Sequence, residues 1–279
     1  MELKAPSFKN LKMMKKILIA AIILLMAAPS LVKAQGCMEA SSEEGVNVVG
    51  YIQTQWNYEF NGEDASGKYL DKHYFNFNRA RIGVVGNVPY DVSYYVMTEF
   101  SSFQGGPYLL DAFVTYHGLG HWAKITMGQF KSPFGLELST PCQSLHTINR
   151  SKVVGILASP FRDIGVMLTG SSDSVQLFGI QKTDIIKYSL AVTNGTGMNE
   201  TDKDSYKDIT ARLVFSPIEN FAFGASFRTG KAATTNPSAT QDDKHTRYGF
   251  DLSYENEKFL VQAEYINGKD DGMVPVGGG

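Results

Sequence analysis

The sequence predicts an all-β protein, a transmembrane antiparallel β-barrel, and three observations carry that prediction. Past residue 34 the chain is a succession of segments whose side chains alternate with a period of two. Long and short connections alternate between these segments. A basic, then apolar, leader precedes them.

The leader comes first. Lys4, Lys9, Lys12, Lys15 and Lys16 form a basic region, Ile17 to Ala28 an apolar one, and Val32-Lys33-Ala34 a small-residue cleavage site, the layout of a secretory signal. The tandem Met13-Met14 is an alternative start. A retained helix would need about 20 apolar residues, more than this stretch offers. A lipid anchor on Cys37 is disfavoured by Ala34-Gln35-Gly36, a poor lipobox. The chain therefore divides into a signal peptide (1–34), a periplasmic N-terminal segment (35–44) and a barrel domain (45–279). Without residues 1–34 the chain has 20 basic and 27 acidic residues, a net charge near −7, which gives no support for a nucleic-acid-binding surface. Two cysteines, Cys37 and Cys142, are too few for a disulfide scaffold.

The first strand shows the alternation best. From Val46 the even positions read Val, Val, Gly, Ile, Thr, Trp, Tyr, Phe to Phe60, and the odd positions are mostly polar. Successive side chains of a strand point to opposite sides, so one face suits lipid and the other water. Ten further strands follow near 74–86, 91–100, 108–117, 122–131, 162–170, 187–194, 206–215, 220–229, 246–255 and 258–267. Most are about ten residues, enough to cross a bilayer at a tilt. The connections 61–73, 101–107, 132–161, 195–205 and 230–245 are long, and those at 87–90, 118–121, 216–219 and 256–257 are short, the order of extracellular loops and periplasmic turns. Residues 171–186 should form a short turn but contain the strand-like run Val175 to Ile180. A twelfth spanning strand there would invert the downstream order, so it reads as an enlarged turn. Tyr116 with Trp122, Phe215 with Phe221 and Tyr254 with Phe259 bracket short turns as an interfacial aromatic girdle would. The odd strand count, eleven, and the polar, Gly-rich stretch from Lys269 to Gly279 predict a fragment lacking its C-terminal strands.

The thirty-residue segment 132–161 is the third extracellular loop. A loop of that length folded inward would narrow a pore, and its basic side chains Lys131, Arg150, Lys152 and Arg162 would lower the entry barrier for an anion. On an outer lid they would be solvated charges. Strand parity places Arg79, Arg81, Lys124, Lys187, Arg212, Arg228 and Arg247 on the inner face. It also places Glu59, Glu99, Asp111, Asp163, Asp208, Asp251 and Glu264 there, so the inner face as a whole is not positive. Catalytic signals are weak. There is no H-E-x-x-H, G-x-S-x-G or P-loop, and no cofactor motif; His117 and His121 flank a Gly turn, and parity gives no reason to join Ser93, Asp111 and His117.

The runs Gly128-Gln129-Phe130-Lys131-Ser132-Pro133-Phe134-Gly135, Asn149-Arg150-Ser151 and Phe161-Arg162-Asp163-Ile164-Gly165-Val166-Met167 resemble the loop region of the phosphate-selective porin O and P family. Phe77 to Gly83, Val192 to Gly197 and Arg212 to Pro217 resemble further blocks, in the same order over about 45–268. The resemblance implies a sixteen-stranded homotrimeric porin of the bacterial outer membrane, bedded in its lipid. It would be a passive channel for small anions, phosphate or polyphosphate among them, and not an enzyme. It carries over anion-binding roles for Lys131, Arg150, Arg162, Arg79 and Arg81, and parity adds Lys124 as a lumen residue. A general small-solute porin and a non-conducting structural barrel are the alternatives.

Overall fold

The computed structural model describes residues 45–64, 66–177, 180–202, 204–232 and 243–271. The expected leader, the segment 35–44 and the Gly-rich stretch 272–279 lie outside the described residues.

Eleven strands form one sheet in which every pair is antiparallel: β1 (Gly45–Glu59), β2 (Lys72–Val88), β3 (Val92–Glu99), β4 (Tyr108–Tyr116), β5 (Lys124–Lys131), β6 (Arg162–Ser171), β9 (Ile186–Thr193), β10 (Asp208–Phe215), β11 (Phe221–Ala232), β12 (Asp243–Glu255) and β13 (Leu260–Asp271). Strands follow one another in sheet order, so each is joined to its neighbour by a turn or loop and no crossover is needed. Among the described residues β1 and β13 are the sheet's two edges. The troublesome segment is settled by its pairing. β6 pairs directly with β9, and β7 (Val175–Leu177) and β8 (Ile180–Lys182) form a separate two-stranded hairpin at the turn between them. It is an enlarged turn and adds no spanning strand.

The sheet is inside out relative to a soluble protein. Glu99, Asp163 and Asp208 are fully buried and Arg228 is 1% exposed, whereas Val48, Ile52, Phe75 and Phe250 are more than half exposed. Charged side chains are rarely buried, and large apolar ones rarely line an open face, unless that face meets lipid. Tyr116, Trp122, Phe215 and Phe259 are exposed beside the short turns, where amphipathic rings suit the headgroup level.

Two irregularities adjust the alternation. Gln53 pairs with Arg79 and Thr54 with Phe77, leaving Asn78 as an extra residue in β2. Phe75 and Phe77 are exposed, whereas Asn78 and Arg79 are both buried. The bulge thus turns β2 from presenting its odd positions outward to presenting them inward. Met97 pairs with Asp111 and Thr98 with Leu109, so Leu110 is a second bulge and is buried together with Asp111.

Phe250→Arg, a charge placed in the middle of the outer face of β12, is expected to cost about 2–4 kcal/mol in reversible urea unfolding from lipid vesicles. Glu257→Arg, in a short turn, should change stability by less than about 0.5 kcal/mol. Equal costs at the two positions would mean that the outer face does not meet lipid.

Candidate functional site

The loop 132–161 folds onto the inner face of the sheet and is not an outer lid. It holds two short helices, α1 (Leu136–Ser139) and α2 (Lys152–Leu157). Phe134, Leu138, Val154 and Ala158 make a small buried core, against which Phe161 and Ile266 of β13 pack. Gly135 donates its N–H to Ser226 Oγ at 2.9 Å, and the Glu264 carboxylate accepts from the N–H groups of Leu136 and Glu137 at 2.9 and 3.0 Å. Only glycine suits position 135: its φ is +69°, and a Cβ there would lie 2.1 Å from Glu264 Oε1. Ser151 caps α2 by accepting from Val154 N, while the Glu137 carboxylate accepts from Ser151 N and Oγ, both at 2.7 Å. At the other side of the loop Asn149 Oδ1 accepts from Asn78 Nδ2 at 3.0 Å and Arg79 Nη2 at 3.2 Å. The loop therefore reaches from β2 to β11 and β13 across the inner face.

The sequence-predicted residues divide by their partners. Among the described residues Arg79 is held by neutral groups only: Nη1 donates to Gln53 Oε1 at 2.5 Å and Ile148 O at 2.8 Å, and Nη2 to Asn149. The bulge at Asn78 is what brings Asn78 and Arg79 to the loop together. Arg81 instead meets Glu99 Oε2 at 2.7 Å and Tyr51 OH at 2.8 Å. Arg162 forms a two-pronged pair with Asp111, at 2.9 and 3.0 Å, reaching over β5. Arg150 staples the loop to itself, donating to Glu137 O, Leu138 O, Thr140 O and Cys142 Sγ, with its guanidinium 5.7 Å from the Phe161 ring centre. Lys131 donates to Thr140 O at 3.4 Å. Lys124 is not brought to this place: it begins β5, seven residues and about 23 Å from Lys131.

Three further arginines complete a lattice of ion pairs on the inner face. Arg212 of β10 binds Asp251 of β12 at 2.6 and 3.0 Å, Arg228 of β11 binds Asp208 of β10 at 2.9 Å, and Arg247 of β12 binds Asp270 of β13 at 2.5 Å. Parity places all three arginines inward but does not pair them. The β10–β12 contact needs β11 to be thin between them, and its inner positions Gly224, Ser226 and Gly230 meet that need. A Cβ at Gly224 would lie 2.3 Å from Asp251 Oδ1, and one at Gly230 would lie 1.7 Å from Asp208 Oδ1. The small inner residues of β11, Gly224, Ser226 and Gly230, set around the single charge Arg228, were the readable signal. Ser93 Oγ and His117 Nε2, which parity gave no reason to join, lie 2.6 Å apart; Asp111 is committed to Arg162 and takes no part. Among the described residues no group of three or more His, Cys, Asp or Glu is placed to hold a metal ion.

The family model for phosphate-selective porin O and P matches residues 48–272, most of the chain. The chain belongs to that family. Among solved structures, this porin-family chain is similar to in-vitro folded OmpT, an outer membrane protein of Vibrio cholerae, with 12% identity and a TM-score of 0.52. The alignment covers 81% of this chain and 65% of OmpT, so the chain spans just under two thirds of that relative's length. The anion-selective porin from Comamonas acidovorans aligns at 13% identity over 80% of this chain and 78% of its own, with a TM-score of 0.40, and adds no argument. No curated protein matches.

The porin-family loop also holds a free, buried thiol, Cys142. Burial alone would push it up, but the guanidiniums of Arg81 and Arg150 and the Lys131 ammonium pull it down to about 6. The folded thiol ionises more readily than the unfolded one, whose value lies near 8.5. The thiolate's stabilisation is therefore complete above about pH 8.5 and is lost as pH falls through 6. Urea midpoints of the wild type should fall between pH 9 and pH 6 more than those of Cys142→Ser; parallel curves would mean that the thiol stays protonated. Asp111→Ala should cost about 3–5 kcal/mol in the same assay, because it strands the Arg162 charge inside the protein. A loss below about 1 kcal/mol would show that Arg162 finds another partner.

Proposed function

We propose that this porin-family chain acts as a passive outer-membrane channel for small anions, with its filter where loop 132–161 crosses the inner face. The observation that carries the reading is Arg79, a guanidinium bound, among the described residues, only by neutral groups at the junction of the β2 wall and the loop. A cation left uncompensated beside a narrowed passage attracts anions and replaces part of their hydration shell. Lys131, the last residue of β5, and Arg150, on the loop, add to the field. Arg81 and Arg162 carry carboxylate partners and act mainly as structure, and Lys124 contributes at the opposite end of β5. The solute class is inorganic phosphate and, by extension, polyphosphate. Export by the leader 1–34, a homotrimer and an outer face bedded in lipid belong to the same reading, which involves no turnover and no cofactor.

A second reading is a general small-solute porin. It is favoured by the pairing of Arg81, Arg162, Arg212, Arg228 and Arg247 with carboxylates, which leaves most of the inner face neutral.

Planar-bilayer recording in a salt gradient, with phosphate competing against chloride, separates the readings. The anion channel gives an anion-biased reversal potential and phosphate block of chloride current. Arg79→Gln should lower the anion-to-cation permeability ratio about two-fold or more, the order expected for one charge near the ion path in water. Open channels without ion preference support the general porin, and a folded protein that passes no current removes both in favour of a structural barrel.

A further inference from the structure

Beside Arg79 the inner face of β1 and β2 is built of side-chain amides. Gln53, Gln55 and Asn57 are same-face neighbours on β1, so they rise about 13 Å along the strand from the level of Arg79. Asn76 of β2 lies opposite Gln55, and Asn78, next to Arg79, joins Asn149 of the loop to the set. Some of their hydrogen-bonding capacity is spent on structure. Asn78 Nδ2 donates to Gln53 Oε1 at 3.2 Å and to Asn149 Oδ1 at 3.0 Å, and Gln55 Nε2 donates to Asn57 Oδ1 at 3.1 Å. Two acceptors are unspent: Gln55 Oε1 and Asn76 Oδ1 are buried and meet no donor among the described residues. Both belong to half-buried side chains, and their terminal torsions are soft, so a small rotation presents the oxygens to the lumen. A buried acceptor without a donor is unfavourable, and two on facing residues suit a ligand that brings hydroxyl protons.

We infer that this amide ladder is a binding subsite for the hydroxyl-bearing part of a phosphorylated polyol, a sugar phosphate in the simplest case, with the phosphate at Arg79. It rests on the channel reading above and adds a solute to it. A phosphate dianion brings acceptors almost alone, so it suits the Arg79 guanidinium but cannot satisfy Gln55 Oε1 and Asn76 Oδ1. A hydroxyl both donates and accepts, as an amide does, so successive hydroxyls of a polyol match successive amides of the ladder. Amides also accept without charge; carboxylates in the same places would repel the phosphate. Glu59, at the far end of the ladder, is six residues and about 20 Å from Gln53, and its carboxylate accepts from Tyr74 OH at 2.6 Å. The two ends of the solute thus meet two chemistries in order along β1, a cation beside the loop and neutral amides toward Glu59.

The test is block of chloride current in planar bilayers at about pH 8, where inorganic phosphate and glucose 6-phosphate both carry close to two charges. Glucose 6-phosphate should half-block at a concentration about five- to tenfold lower than inorganic phosphate, the low end for two added hydrogen bonds. Glucose, which has nothing for Arg79, should need a far higher concentration than its phosphate. Gln55→Met combined with Asn76→Leu keeps the volumes and removes both amides, and should bring the two phosphates within about twofold of each other. Chloride current through that variant shows that it has folded; if it does not insert, Asn76→Leu alone should lower the preference by about twofold or more. Equal block by the two phosphates in the wild type, a preference that survives loss of the amides, or glucose blocking as well as its phosphate overturns the inference and leaves the channel reading standing. Anion-biased current that neither phosphate blocks overturns the subsite and the phosphate filter together. A folded protein that carries no current overturns the channel reading as well.

Discussion

Arg228 and Asp208 are buried as deeply as any apolar residue in the molecule, and an isolated charge in such a place would cost several kcal/mol. The inner face of this sheet is where its charges are kept, so most of the arginines there are matched by carboxylates. Much of the remaining structure follows from that matching. Arg162 reaches Asp111 over β5 and Arg212 reaches Asp251 over β11, contacts that a flat sheet with strands about 4.8 Å apart would hold farther from each other. The pairs therefore favour a curved sheet, and the small inner residues of β11 are the space they occupy.

Loop 132–161 uses what the lattice leaves over. Among the described residues Glu264 forms no ion pair and gives its oxygens to the first N–H groups of α1; Arg228 has a spare nitrogen and gives it to the carbonyls of Ala158 and Pro160. Both ends of the loop are thus tied to the wall by groups that would otherwise be buried without partners. Its apolar core of Phe134, Leu138, Val154 and Ala158 then excludes water from those ties. The position of the loop is a consequence of wall chemistry as much as of its own sequence.

The eleven strands and their order were legible because side-chain alternation is a local property, and the observed ends differ from the expected ones by a few residues. The enlarged turn at 171–186 was legible from counting, since only that reading keeps long loops on one side. Partner choice was not legible. Parity tells which face Arg212 and Arg247 occupy, but not that Asp251 and Asp270, 39 and 23 positions away, are their partners; Arg162, read as a loop residue, finds Asp111 51 positions away, and all three approaches depend on curvature and register. Nor was the role of Glu264 legible, because the helix it caps is 128 residues earlier. The inner-face tally of basic and acidic residues balanced, but it took the pairing to show that Arg79 stands outside the balance.

The extra residue in β2 has an effect that resembles a shift of reading frame. On either side of Asn78 the same odd-even rule assigns opposite faces, so Phe75 and Phe77 belong to one frame and Arg79 and Arg81 to the other. Loss of that single residue would leave every later amino acid of the strand unchanged in identity and reversed in meaning, with guanidiniums turned to lipid and Ile82 and Val84 turned to the loop. In this strand, orientation is a property inherited from the preceding residue count, and one position carries it for the rest.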